Sequence, residues 1–153
     1  MRVLLASEFF YPSIGGAQEV VRQIATRLAA RGHDVTVATT RLAERRTREL
    51  EGVRIEEFEI AGNRMTGMTG EVDRYRHHVR EGGFDALLTY AAQQWTTDAI
   101  LDDVGDLPLR TVLAPCGFSG LKRPLYDRYF ADLRSILPRF DAIVVHSPTY
   151  QDA

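Results

Sequence analysis

The sequence predicts an α/β fold, a doubly wound and mostly parallel sheet with helices on both faces. Three observations lead there. Short apolar runs recur along the chain, apolar stripes at helical spacing separate them, and Gly or Pro punctuates the junctions. Continuous apolar runs suit strands buried on both faces, and their alternation with helices calls for right-handed parallel crossovers.

Residues 3–6 (VLLA) form the first such run, opened by Arg2. Pro12, Gly15 and Gly16 break the chain after it. Val20, Val21, Ile24, Ala25, Leu28 and Ala29 then fall on one helical stripe, and Gly32 sits where a left-handed helix end is expected. The β-branched run 35–39 reads as a second strand. Residues 41–52 are densely charged and read as a short solvated helix or a mobile loop. Residues 53–60 look like a half-exposed strand whose charges suit a sheet edge. Residues 61–70, with three glycines and two methionines, read as a flexible loop. Helices are expected over 71–80, 96–104 and 125–137, the last stopped by Pro138. Strands are expected over 84–90, 110–115 and 141–147, the last of these buried. Ser147 and Pro148 make an N-cap and N1 pair for a further helix. A chain that stops five residues into that pattern reads as a fragment, one Rossmann-like lobe of something longer.

At 153 residues with a net charge of −2, the expectation is one domain spanning 1–153 with a real core. Near-zero charge gives no reason to expect nucleic acid as a partner. The single cysteine, Cys116, rules out an internal disulfide framework and a cysteine-based zinc site. The opening apolar run is too short for a signal peptide, and no run approaches a membrane span, so the default location is cytoplasmic. Of the basic residues only Lys122 is a lysine. Codon bias in a GC-rich genome is the plain explanation; arginine does suit bidentate anion contacts, but a global excess locates no site.

Chemistry in such a sheet belongs beyond the carboxyl ends of the strands. There the loop 8–16 leads into a helix through Gly15 and Gly16. Residues without Cβ atoms let an anion reach free N–H groups at the positive end of the helix dipole. The alternative is a tight turn that needs an unusual φ. The pattern is not GxGxxG and no acid ends the second strand, so a dinucleotide site is disfavoured. His77 and His78 cannot share a helix face and read as solvated. His33 reads as part of a helix end. His146 is expected in the core or behind the crevice, and Tyr90 and Trp95 either stack on a ligand ring or cover the sheet.

The stretch MRVLLASEFFYPSIGGAQEVVRQIATRLAARGHDVTVATT resembles the opening of family 4 glycosyltransferases. EGVRIEEFEI, FDALLTY and FDAIVVHSPTYQDA resemble the later strands of the first lobe in that family. The resemblance implies a two-lobed GT-B architecture in which this lobe receives the acceptor. A C-terminal lobe, not within these residues, would hold most of the donor. It further implies a nucleotide-diphosphate sugar and a hydroxyl acceptor as partners, transfer with retention, and no cofactor or metal. Gly15 and Gly16 would face the donor diphosphate. Tyr11, Gln18, Glu19, Tyr90, Gln93, Cys116 and Gly117 would line the acceptor side, with Glu19 equally readable as a first-turn acid on the dipole. Cys116 stands where the family usually has His, which implies altered acceptor chemistry or reduced activity; a buried thiol is otherwise a small apolar filler. Peripheral membrane contact is expected, if anywhere, from the arginine-rich run 41–48, which is otherwise a solvated face. The other reading is a free-standing Rossmann-like module that holds an anion or glycan without catalysis.

Overall fold

The computed structural model of the protein describes residues 1–149. Its main sheet has seven strands: β1 (Arg2–Ala6), β2 (Asp34–Thr40), β3 (Glu49–Leu50), β4 (Val53–Phe58), β7 (Ala86–Tyr90), β8 (Arg110–Ala114) and β9 (Ala142–Ile143), in the order β3-β4-β2-β1-β7-β8-β9. A separate hairpin pairs β5 (Ile60–Asn63) with β6 (Gly67–Gly70). The helices are α1 (Gly16–Ala30), α2 (Val72–Glu81), α3 (Trp95–Asp98) and α4 (Asp127–Ile136). All main-sheet pairings are parallel except β3 with β4. The doubly wound frame is therefore as expected.

Two apolar layers sandwich the sheet. On one face Leu4, Phe58, Tyr75, Leu87, Trp95, Leu113 and Leu133 join β-strands to α2, α3 and α4. On the other, Val3, Leu5, Val35, Val37 and Ile55 meet Val21 and Ala25 of α1. Alternation along β1 sends Leu4 to the first layer and Val3 and Leu5 to the second. α1 ends as its sequence suggests. Gly32 takes φ +85, its N–H bonds Ala29 O at 2.9 Å, and His33 N–H bonds Leu28 O at 3.2 Å, a Schellman closure.

Several expectations fail for local reasons. Residues 61–70 are not a flexible loop. They form a hairpin whose turn is closed by Asn63 Oδ1, which accepts from the amides of Met65 at 2.9 Å and Thr66 at 3.0 Å. Its glycines are structural. A Cβ on Gly62 would lie 1.9 Å from Gly67 O, and one on Gly70 would lie 1.9 Å from Glu59 O. The charged run 41–52 has no helix and ends in the two-residue β3. β4 is not the edge strand, because β3 covers part of it. The helix expected over 96–104 stops at Asp98, and turns lead to a 3-10 segment at Val104–Asp106. The helix expected over 125–137 starts with a 3-10 turn at Pro124–Tyr126.

The last strand is not buried. β9 has two residues, and Ile143, Val144 and Val145 are exposed. On the α1 face this end of the sheet is open. An apolar groove of about 350 Å³ runs there, floored by Leu88, Val112 and Val144 and walled by Val20 and Ile24 of α1. The helix expected after Ser147 falls largely outside the described residues. His78 is not solvated: its ring packs on Phe58 and Phe84, and its buried Nε2 has no hydrogen-bond partner.

Candidate active site

β1 pairs with β2 on one side and β7 on the other, so the winding reverses between β1 and β7. The crevice above that reversal is where a ligand is expected. The loop leaving β1 is fixed from several directions. Glu8 O accepts from Thr40 N at 3.0 Å and Thr39 Oγ1 at 3.1 Å, and Glu8 N donates to Gln94 Oε1 at 3.2 Å. Arg45 does most of the holding. Its Nε donates to Tyr11 O at 2.7 Å, Nη2 to Phe10 O at 3.1 Å and Nη1 to Thr40 O at 2.9 Å. Nη1 also pairs with Glu57 Oε1. The Arg45 side chain is 1% exposed and that of Glu57 5%. Burial acts to raise the Glu57 carboxyl, but the Leu42 amide, Arg45 and Arg48 outweigh it and hold it below the ordinary carboxylate range.

The loop delivers Gly15 and Gly16 to the start of α1. Gly15 is extended, at φ 179 and ψ 171, which any residue adopts. A Cβ on Gly16 would meet nothing within 4 Å, and one on Gly15 would meet only the Gln18 side-chain amide, at 2.5 Å. Neither an unusual φ nor close backbone packing therefore accounts for this pair. No side chain caps the helix, so its first amides are left without a side-chain acceptor.

Beside this turn lies a groove of about 290 Å³. Tyr11, Gly15, Gln18 and Glu19 line it together with Ile14 and Arg22. Gln18 Nε2 donates to Ser13 Oγ at 3.2 Å. Glu19 is tied within the helix, accepting from Arg22 at 2.9 Å and Gln23 at 2.6 Å, and these bonds bring its carboxyl down to about 2.

A second cluster forms where β7 and β8 end. Ala91, Gln93 and Cys116 all take left-handed φ, at 71, 62 and 58 degrees. Such strain in non-glycine residues persists only where the surroundings impose it. Here the Gln93 amide clasps the loop after β8, with Nε2 donating to Ser119 O at 2.9 Å and Ser119 N donating to Oε1 at 2.7 Å. Gln93 N donates to Tyr129 Oη at 3.1 Å, and Tyr129 Oη donates to Asp98 Oδ1 at 2.9 Å. Asp98 Oδ2 accepts from Arg64 N at 2.9 Å. Burial raises the Asp98 carboxyl against the pull of those donors. Glu8 is raised as well, by burial first and then by the charge of Asp98.

The expected residues thus fall into two groups. Tyr11, Gly15, Gln18 and Glu19 share the groove at α1, with Gly16 opening the helix. Gln93, Cys116 and Gly117 share the β7–β8 rim. Cys116 is exposed there and is not a buried filler. Tyr90 is buried, with its hydroxyl 3.1 Å from Nε2 of an exposed His146. Trp95 is buried too, donating Nε1–H to Thr40 Oγ1 at 2.9 Å, so these two rings cover the sheet. Sequence reasoning missed Glu8, Gln94, Asp98 and the Arg45–Glu57 pair. Only Glu8, directly after the first strand, carried a readable signal.

A family model, the glycosyl transferase 4-like domain, matches residues 15–153. The chain belongs to that family. This glycosyltransferase domain also shares its fold with a solved sucrose-phosphate synthase from Thermosynechococcus elongatus, at a TM-score of 0.70 and 15% identity. The match covers 96% of this chain and 42% of that one. No curated protein matches the sequence. Among the described residues no helix is long and apolar enough to cross a membrane.

Proposed function

We propose that this domain is the acceptor-side lobe of a two-lobed glycosyltransferase that uses a nucleotide-diphosphate sugar. The observation that carries the reading is the start of α1: a paired-glycine turn with no cap, no positive φ and open space at Gly16. Donor amides and the dipole there suit the diphosphate, whose negative charge grows as the sugar C1–oxygen bond breaks. A second lobe would bring the donor, and the acceptor hydroxyl would form the new bond to C1. By family resemblance the transfer retains anomeric configuration and needs no metal. Tyr11, Gln18 and Glu19 border the space for the acceptor, and Gln93 clasps Ser119 in the loop that carries Cys116 and Gly117 at its far rim. Tyr90 supports that rim from beneath.

The test is transfer by the protein that joins this lobe to a second one, assayed against a panel of nucleotide sugars with hydroxyl acceptors. Gly16→Asp places a carboxylate where the diphosphate is expected. Transfer should fall at least tenfold while folding is unaffected, since the added side chain meets open space. Undiminished transfer by Gly16→Asp would remove the glycine turn from the site. Failure of every nucleotide sugar would favour a binding module.

A further inference from the structure

The acids around the crevice are mostly spent within the protein. Glu19 is tied to Arg22 and Gln23, and Glu57 to Arg45 and Arg48. Asp98 accepts from Tyr129 Oη and the Arg64 amide, and Glu51, beside the α1 groove, pairs with Arg22 at 3.2 Å. Glu8 differs. Among the described residues its carboxyl forms no ion pair and accepts no hydrogen bond, although the residue is half-buried. Its oxygens are still reached by water. A carboxylate partly removed from water without a partner costs stability.

The chain nonetheless fixes this residue from both sides. Glu8 N–H donates to Gln94 Oε1 in the loop after β7, and Glu8 O takes donors from Thr39 and Thr40 at the end of β2. Glu8 opens the loop that carries Tyr11 and Gly15, and it bonds the neighbour of Gln93. It therefore stands at the winding reversal, between the two groups of site residues. Asp98 on α3 is the charge that faces it, and burial together with Asp98 holds the Glu8 carboxyl above its ordinary range. A group held in place at a cost, with its bonding capacity unused, is the mark of a functional position.

We propose that Glu8 binds the acceptor, its carboxylate accepting a hydrogen bond from the acceptor hydroxyl and orienting that oxygen toward the donor. The hydroxyl supplies the partner that the protein withholds. Glu8 and Asp98 together also set the acceptor class. A neutral hydroxyl compound fits, whereas one with a phosphate or carboxylate beside the reacting hydroxyl meets two like charges. The identity of the hydroxyl rests on the glycosyl-transfer reading; the unpaired carboxylate does not.

Glu8→Gln keeps the shape and removes the charge, and it is read in two ways. In the 153-residue chain, thermal unfolding followed by circular dichroism at neutral pH should show Tm raised by about 2 °C. That gain should fade as pH falls, because Glu8 of the parent then becomes neutral in the folded state too. In the protein that joins this lobe to a second one, Glu8→Gln should raise the acceptor KM and lower kcat/KM about 10- to 100-fold, with the donor KM unchanged. Glu8→Asp keeps the charge and should recover part of the loss. A Tm lowered by Glu8→Gln would make the residue structural and overturn the proposal. Full transfer by Glu8→Gln, with Gly16→Asp impaired, would overturn it and leave the glycosyl-transfer reading standing. Transfer absent in the parent would overturn that reading, and with it the hydroxyl assigned to Glu8.

Discussion

Arg45→Met tests how the glycine turn is held. The guanidinium is almost wholly buried and donates to three carbonyls from two segments while pairing with Glu57. Removing one partner of a buried pair costs about 3–5 kcal/mol. Two features place this case at the lower end. Glu57 keeps Leu42 N–H at 3.1 Å and Arg48 at 3.0 Å, so its charge is not abandoned. Phe10 O also keeps Ser13 N–H at 3.1 Å. Tyr11 O loses its recorded donor. The expected loss is therefore about 3 kcal/mol, which for a domain of this size is roughly 6–12 °C in Tm. Urea unfolding followed by circular dichroism measures it, with an unchanged slope showing that only stability moved. Arg45→Lys keeps the charge but not the planar fork, and should lose about half as much. A loss below about 1 kcal/mol for Arg45→Met would refute the claim that this residue anchors the loop.

Other outcomes follow from the same geometry. The folded Glu57 carboxyl lies below its unfolded value, so its contribution is present above about pH 4.3 and is lost as pH falls through the folded value; acid titration of Arg45→Met should show a shallower decline than the parent. Tyr129→Phe removes the acceptor for Gln93 N–H and a donor to buried Asp98, and should cost about 2 kcal/mol in urea unfolding. Burial holds His78 below its ordinary value, despite Glu56 and with help from Arg74 and His77. Stability carried by neutral His78 is present above about pH 6.5 and lost below it, and His78→Phe, packing between Phe58 and Phe84, should flatten that slope.

The parallel frame was legible because its strands are continuous apolar runs, and α1 because its stripe, Gly32 closure and glycine entry agree. Residues 61–70 were not. Their hairpin rests on Asn63 side-chain bonds and on glycines at backbone contacts, which composition cannot distinguish from a mobile loop. Arg45 and Glu57 looked like solvated charges because local sequence does not reveal a partner twelve residues away. β9 read as buried from its aliphatic residues, yet burial needs a covering layer, and on the α1 face a groove lies open there instead. At the site, the glycine turn was visible in sequence. The Gln93–Ser119 clasp was not, since it depends on a left-handed backbone set by distant Tyr129 and Asp98.

Trp95 is the sole indole in the chain. It stands edge-on to Tyr75 at 5.0 Å and 6.2 Å from Phe58, and its Nε1–H reaches Thr40, the last residue of β2. The domain therefore carries its own optical reporter beneath the crevice. Its emission should be blue-shifted and fed by energy transfer from Tyr75, and both should change if the ends of β2 and α3 separate, without any label being attached.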